Sequence, residues 1–274
     1  MKLYVKDFDL KQSITSGQFF RYEFKNDYYY IILKDRIVKI KQIDDYIIVD
    51  SNNMRNIKET VESFFSLDID YNKINDILIN KDNSIKDIIR ASIGYKIQRM
   101  DPFETVISYI ISANNSVNNI RNCVNKISNK YGKKILFENN YYYLFPTKEE
   151  LKNITLEELI EMKLGFRAKY VKIIIDKINS NEFDLDIINK MSSKEALSYL
   201  MKENGIGLKV ASCILLFSYS RYDVYPIDIW VKKIMKERFN IEKEKDIKEY
   251  MENKYKDYSG LVIQYLFNYK RNIQ

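Results

Sequence analysis

One lysine and one aspartate stand out in a chain that has no histidine at all. Residues 204–213 read NGIGLKVASC, placing Lys209 two residues past the second glycine, where an apolar helical run begins. Residues 224–230 read VYPIDIW, placing Asp228 two residues past Pro226, at the start of another such run. An amine can attack an electrophilic carbon and become covalently linked to it. A carboxylate just past a proline can cap the helix that it begins. A lysine beside a helix N-terminus also faces the positive pole of the helix, which disfavours the ammonium form and calls for a reason.

The elements around Lys209 form a helical hairpin. SSKEALSYLMKE at 192–203 has helical spacing of its apolar residues, and VASCILLFSY at 210–219 is helical and apolar. Gly205 and Gly207 allow the chain to reverse sharply and to bring backbone close to a ligand. Two uses remain open on these residues alone. The turn is either a plain helix–helix connection or an anion site, in which the free N–H groups of the second helix meet a phosphate.

Composition narrows the chemistry further. The 274 residues are enough for one large domain or two modest ones, and 46% hydrophobic content places the chain among globular proteins. The net charge of +7 suits a polyanionic partner. Without histidine, the commonest general base and metal ligand are missing. Cys123 and Cys213 are too few and too far apart for a zinc site or an iron–sulfur cluster, so no metal site is expected. The N-terminus lacks an apolar signal segment, and no run of about 18 apolar residues occurs, so a soluble, cytoplasmic protein is expected.

Two textures divide the chain. Residues 28–50 are short β-branched and aromatic runs, and Asn-Asp, Lys-Asp and Asp-Asp pairs mark the turns of an antiparallel meander. From about residue 57 the pattern is almost wholly helical. Asp101-Pro102 reads as an N-cap with proline at the first helical position, and Thr147/Glu150, Thr155/Glu158 and Ser192/Glu195 read as capping boxes. The expected class is α+β: a β-rich N-terminal domain over 1–98, then a mostly helical domain over 99–274 with the hairpin near 204–209.

The string G-I-G-L-K-V-A-S-C followed by V-Y-P-I-D resembles the helix-hairpin-helix (HhH-GPD) DNA glycosylases, and its lysine resembles the 8-oxoguanine DNA glycosylases among them. SGQFFRY at 16–22, SFFSLDIDY at 63–71, RMDPFETVISYIISANNS at 99–116, LGFRAKYV at 164–171 and GLVIQYLFNY at 260–269 resemble further segments of that family in the same order. The resemblance spans nearly the whole chain and implies a bifunctional glycosylase and AP lyase of base excision repair. Lys209 would attack C1′ of the damaged nucleotide, shielded from water, and form a Schiff base that permits strand nicking. Asp228 would offset the charge developing on the sugar.

The same resemblance assigns the remaining site residues. A flipped base needs flat apolar faces and edge contacts. Phe267 and Cys213 would sandwich it, and the carbonyl of Gly17 would accept the N7–H that 8-oxoguanine has and guanine lacks. Asn114 would fill the vacated space, with Asn115 beside it. Phe166 would wedge into the stack, Arg167 would read the orphaned base, and Gly205 and Gly207 would sit on the backbone. Each has a plainer reading as a core residue, cap or turn. The implied partner is double-stranded DNA containing 8-oxoguanine, met by a monomer at a prokaryotic nucleoid. No cofactor is implied, and a structural monovalent cation at the hairpin stays open.

Three positions depart from the family pattern. Ile263 stands where the family has a glutamine that reads the base edge; Gln264 is adjacent, but one residue turns a helix by about 100°. Asn119 stands in place of an arginine that recognises cytosine, and Trp230 in place of a histidine. Competing readings are an alkylation-type glycosylase using the aspartate alone, the endonuclease III branch, which carries a four-cysteine cluster absent here, and a non-catalytic DNA-binding hairpin module.

Overall fold

The structure is a computed structural model and describes residues 1–273; Gln274, the last residue of the expected helical domain, lies outside the described residues. The meander forms as the sequence predicts. Strands β2 (Tyr22–Lys25), β3 (Tyr28–Ile32), β4 (Ile37–Ile43) and β5 (Tyr46–Ser51) pair antiparallel in sequence order. Asn26, Asp27 and Asp44 take positive φ at two of the turns, a conformation that Asn and Asp tolerate better than other side chains.

Two sheet elements went unread in the sequence. β1 (Lys2–Tyr4) joins the far edge of the sheet beside β5, giving the order β1-β5-β4-β3-β2. A second hairpin, β6 (Lys134–Phe137) with β7 (Asn140–Tyr143), interrupts the helical region. Its turn is Glu138-Asn139, both at positive φ. The hairpin packs on the back of the main sheet, where Tyr142 stacks on Tyr30 at 5.9 Å.

The helical part surrounds one large core. Its central layer is the Pro102–Ser112 helix, capped by Asp101 as predicted, packed against the Leu208–Tyr219 helix. Both are buried almost all round, which fits their high apolar content. The boxes at Thr155/Glu158 and Ser192/Glu195 cap helices. The one at Thr147/Glu150 is a correction: its reciprocal bonds form, but residues 148–153 make turns rather than a helix.

Arg21 ties the two parts together. It is buried beneath the sheet, donates to Ser128 Oγ and the Tyr143 carbonyl, and lies 3.6 Å from Glu104 on the central helix. The C-terminal helix, Ser259–Ile273, returns across the molecule to pack on the Lys86–Ala91 and Ile229–Phe239 helices. This closure brings residues 16–18, 209–213, 228–230 and 263–267 to one place.

Candidate active site

The hairpin is held by one apolar anchor. The Ser193–Leu200 helix ends before Met201, the chain reverses over 201–207, and Ile206 is buried beneath the turn. Gly205 sits at φ +90, and a Cβ there would lie 2.6 Å from Tyr170 Cβ, so both conformation and space demand glycine. Gly207 is the N-cap of the Leu208–Tyr219 helix and offers no side-chain cap. The first-turn N–H groups of that helix therefore stay available to an outside acceptor.

Lys209 is the second residue of this helix. Its Nζ lies 3.8 Å from Oδ2 of Asp228. The other oxygen of Asp228, Oδ1, accepts from the backbone N–H of Trp230 and Val231 at 2.9 Å each, capping the Ile229–Phe239 helix. The carboxylate is thus fixed by its helix while one oxygen faces the amine. The expected shielding of Lys209 is not a property of the free protein, where its side chain is 43% exposed against 21% for Asp228. Exclusion of water has to come from whatever binds over it.

A cavity of about 200 Å³ opens beside this pair. That is below the range of roughly 300–1,000 Å³ typical of drug-sized ligands, and it suits a single planar base. Gly17, Cys213 and Phe267 line it, together with Ile263, Gln264 and Trp230. Cys213 is buried, and burial pushes its thiol up to about 12, so it serves as an apolar neutral surface rather than a nucleophile. Gly17, in the cavity lining, has φ +87, a conformation that favours glycine. Ile263 and Gln264 both reach the lining, so the turn of about 100° between them does not exclude either. Trp230 is largely exposed, with Lys233 Nζ 5.8 Å from its ring.

The asparagines divide. Asn115 lines the cavity, donates to the Ile111 carbonyl, and accepts from Asn119 Nδ2 at 2.8 Å. Asn119 is therefore held back against its own helix end. Asn114 lies just past the end of the Pro102–Ser112 helix at φ +50 and is not part of the cavity lining.

Phe166 and Arg167 invert the plain expectation of a core Phe beside a surface Arg. Phe166 is 55% exposed, while Arg167 is 8% exposed and lies over the Phe166 ring at 4.4 Å. The Arg167 guanidinium donates to the carbonyls of Ala113 (2.6 Å), Asn114 (2.5 Å) and Leu164 (3.3 Å). In this state it braces the turn that carries the asparagines. Phe166, Arg167, Gly205 and Gly207 border a separate groove next to the hairpin.

Two residues that the sequence reading passed over support the cavity. Gln18 follows Gly17, and Tyr95 comes from the segment before the Pro102–Ser112 helix; both are buried and bonded to each other. The signal was Gln18 itself, a polar residue between Gly17 and two phenylalanines. No group of three or more His, Cys, Asp or Glu placed to hold a metal ion occurs among the described residues. No helix among them is long and apolar enough to cross a membrane.

Comparison with known proteins matches this geometry to a family. Residues 1–106 match the family model for the 8-oxoguanine DNA glycosylase N-terminal domain, and residues 107–258 match that of the HhH-GPD superfamily base excision DNA repair proteins. The chain is 29% identical over 219 residues to an N-glycosylase/DNA lyase of Saccharomyces cerevisiae, a match covering 75% of this chain and 58% of that protein. It is 26% identical to a probable N-glycosylase/DNA lyase of Methanothermobacter thermautotrophicus, across 99% of this chain and 96% of that one. The solved 8-oxoguanine glycosylase/lyase of Clostridium acetobutylicum, in complex with double-stranded DNA containing cytosine opposite 8-oxoguanine, superposes with a TM-score of 0.91 at 34% identity. That match covers 100% of this chain and 98% of that one.

Proposed function

The chain belongs to the HhH-GPD superfamily of base excision DNA repair proteins, with an 8-oxoguanine DNA glycosylase N-terminal domain, and on that footing we propose that it excises 8-oxoguanine from duplex DNA and nicks the strand at the resulting site. The observation that carries this reading is the Lys209 amine, 3.8 Å from the Asp228 carboxylate at the mouth of a base-sized cavity.

The flipped nucleotide enters with its base between Phe267 and Cys213 and its sugar over Lys209. The neutral amine attacks C1′; the N–C bond forms as the glycosidic bond breaks, and the base leaves with the bonding electrons and takes up a proton. The linked sugar opens to a Schiff base. Loss of a C2′ proton then expels the 3′ phosphate by β-elimination, and water releases Lys209. Asp228 Oδ2 offsets the positive charge on the sugar while Oδ1 keeps its cap, so the charge is held rigidly where it is needed. The backbone carbonyl of Gly17 selects the N7–H of the oxidised base, because the N7 lone pair of guanine would leave that acceptor unpaired at about 1–3 kcal/mol.

The duplex lies across the hairpin, with a phosphate on the free N–H groups after Gly207 and Phe166 directed at the stack. Both reacting residues come from one chain, so a monomer suffices, and its place of work is the nucleoid. The chemistry uses an amine, a carboxylate and water, with no cofactor. At the hairpin a monovalent cation fits better than a divalent one. Glu203, the one carboxylate in 201–207, is engaged with Lys177 at 2.7 Å, which leaves neutral oxygens as ligands, the backbone carbonyls and the Asn204 amide.

Borohydride treatment on an 8-oxoguanine duplex separates the readings. Excision with a trapped covalent complex supports the lyase. Excision without trapping supports an alkylation-type enzyme, and binding without excision supports a DNA-binding module.

A further inference from the structure

A one-way chain of hydrogen bonds runs from the backbone to the edge of the base cavity. The Gln98 backbone N–H donates to Gln18 Oε1 at 3.2 Å. Gln18 Nε2 then faces Tyr95 Oη at 2.6 Å, Ser16 Oγ at 2.9 Å and the Lys96 carbonyl at 3.3 Å. Tyr95 Oη lies 3.3 Å from Gln264 Oε1. Gln18, Tyr95 and Gln264 are all buried.

The direction of this chain is fixed at both ends of Gln18. A backbone N–H can only donate, so Gln18 must present its oxygen there; a backbone carbonyl can only accept, so the amide nitrogen must point the other way. Gln18 has two amide N–H groups for these three oxygens and its nitrogen cannot accept, so the Tyr95 proton is not spent on Gln18. Ser16 Oγ gives its own proton to the Ser13 carbonyl, and Gln264 Oε1 is the amide acceptor within reach of Tyr95 Oη. Burial pushes the Tyr95 hydroxyl well above its ordinary range, so it keeps that proton. Gln264 must in turn offer its oxygen to Tyr95, which leaves its amide N–H groups on the cavity side. That orientation follows from the network rather than from the amide atoms themselves.

We propose that Gln264, oriented by the Tyr95–Gln18 relay, is the residue that reads the six-membered-ring edge of the lesion, donating to the O6 acceptor of 8-oxoguanine. Gln264 lines the cavity beside Ile263, whose apolar side chain makes no such contact. Gln18 is covalently next to Gly17, whose carbonyl meets N7–H under the proposed function, and O6 is the polar group adjacent to N7 on the purine. The two contacts therefore read neighbouring groups from one buried support. Tyr95 and Gln18 are positioning residues, touching the base only through Gln264.

The assignment rests on the proposed function, and its test is separable from it. The probe is a duplex carrying 8-oxo-2,6-diaminopurine, which keeps N7–H and the 2-amino group but has an amine donor in place of O6 and a lone pair at N1. Single-turnover excision is compared with that of 8-oxoguanine for the wild type, Tyr95→Phe and Gln264→Met. Comparing variants on the same two duplexes cancels differences in base pairing. The wild type should prefer 8-oxoguanine, and both variants should lower that preference by about threefold to tenfold, the scale of one net hydrogen bond. In Tyr95→Phe the amide is released to turn its oxygen towards the amine, an effect that lost packing alone does not produce. Near-UV circular dichroism checks that each variant is folded. An unchanged preference in folded Gln264→Met overturns the base contact, and an unchanged preference in folded Tyr95→Phe overturns the relay. Failure of the proposed function has a different signature: the wild type neither excises 8-oxoguanine nor traps on an abasic duplex.

Discussion

Asp228 divides its two oxygens between a helix and an amine: Oδ1 caps the Ile229–Phe239 helix through Trp230 and Val231, while Oδ2 lies 3.8 Å from Lys209 Nζ. The cap and the electrostatic role are held by one side chain, and a single substitution can separate them. Asparagine caps a helix about as well as aspartate but carries no charge. Asp228→Asn should therefore keep the thermal stability of the wild type to within about 1 kcal/mol. Its excision rate should fall by on the order of 10²–10³, the scale of one lost electrostatic contact in the transition state. Thermal melts and single-turnover rates on the same preparation check both halves.

The two hairpin glycines should respond differently to alanine. At Gly205, φ +90 and the 2.6 Å approach to Tyr170 make Gly205→Ala destabilising by about 1–3 kcal/mol. At Gly207, φ is −83 and a Cβ would meet nothing within 4 Å, so the fold itself does not require glycine. Gly207→Ala should change the stability by no more than about 1 kcal/mol, because the poorer N-cap opposes the reduced freedom of the unfolded chain. It should nonetheless weaken duplex binding, because the methyl group stands where a phosphate approaches. Melting curves with fluorescence-anisotropy titrations of both variants distinguish the roles. Equal loss of stability in both would place Gly207 in the fold rather than the interface.

Selectivity for the base opposite the lesion should be relaxed. Cytosine is recognised by donors directed at its O2 and N3, a task to which paired arginine donors are suited. Here the Arg167 guanidinium is committed to the Ala113, Asn114 and Leu164 carbonyls, and Asn119 is tied to Asn115. Each discriminating contact is worth about 1–3 kcal/mol, so cytosine should be favoured over adenine by well under about a thousandfold. Asn119→Arg should raise the preference. Single-turnover excision from duplexes with each of the four opposite bases measures it.

A buried amine away from the site gives the stability a measurable pH dependence. Lys96 is buried with Nζ 4.2 Å from the centre of the Tyr71 ring, and burial lowers its pKa to about 8 despite attraction from Asp7 and Asp70. Between about 8 and the ordinary lysine value of about 10.4, the unfolded chain binds the proton more readily than the folded one. Stability should therefore rise with pH across that window. Below it, the folded state bears the cost of a buried ammonium. Lys96→Met should remove that rise and stabilise the protein at pH 7 by about 1–3 kcal/mol. Denaturant midpoints of both proteins at pH 7, 8 and 9.5 check the difference.

The local patterns of the sequence carried most of the fold, and long-range partners account for what they missed. The meander, the Asp101 cap and the hairpin at 204–209 are each written in a few adjacent residues. β1 is three residues long and owes its existence to pairing with β5, so no period could reveal it. The β6–β7 hairpin did carry a local sign, KILFENNYYY, obscured by the helices on either side. The Thr147/Glu150 box shows the converse: its bonds form without the apolar helical face that would continue them.

At the site, the cavity draws on five segments spread from residue 16 to residue 267, so composition alone could not assemble it. The resemblance of segments points to its members, while their burial and hydrogen bonding are set by the tertiary structure. Arg167 is buried and Phe166 exposed, opposite to what their polarity suggests, because the carbonyls left at the end of the Pro102–Ser112 helix need a donor that only tertiary structure brings. Tyr95 was invisible for the same reason: it acts through Gln18 and Gln264, both far away in sequence.

The central claim is that Lys209 becomes covalently joined to the sugar. The direct measurement is borohydride reduction during turnover of an 8-oxoguanine duplex, followed by protease digestion and mass spectrometric mapping of the adducted peptide, with Lys209→Gln run in parallel. The adduct should fall on the peptide containing Lys209, and Lys209→Gln should bind the duplex but show neither excision nor trapping. An adduct on another lysine, or excision that survives in Lys209→Gln, would contradict the claim.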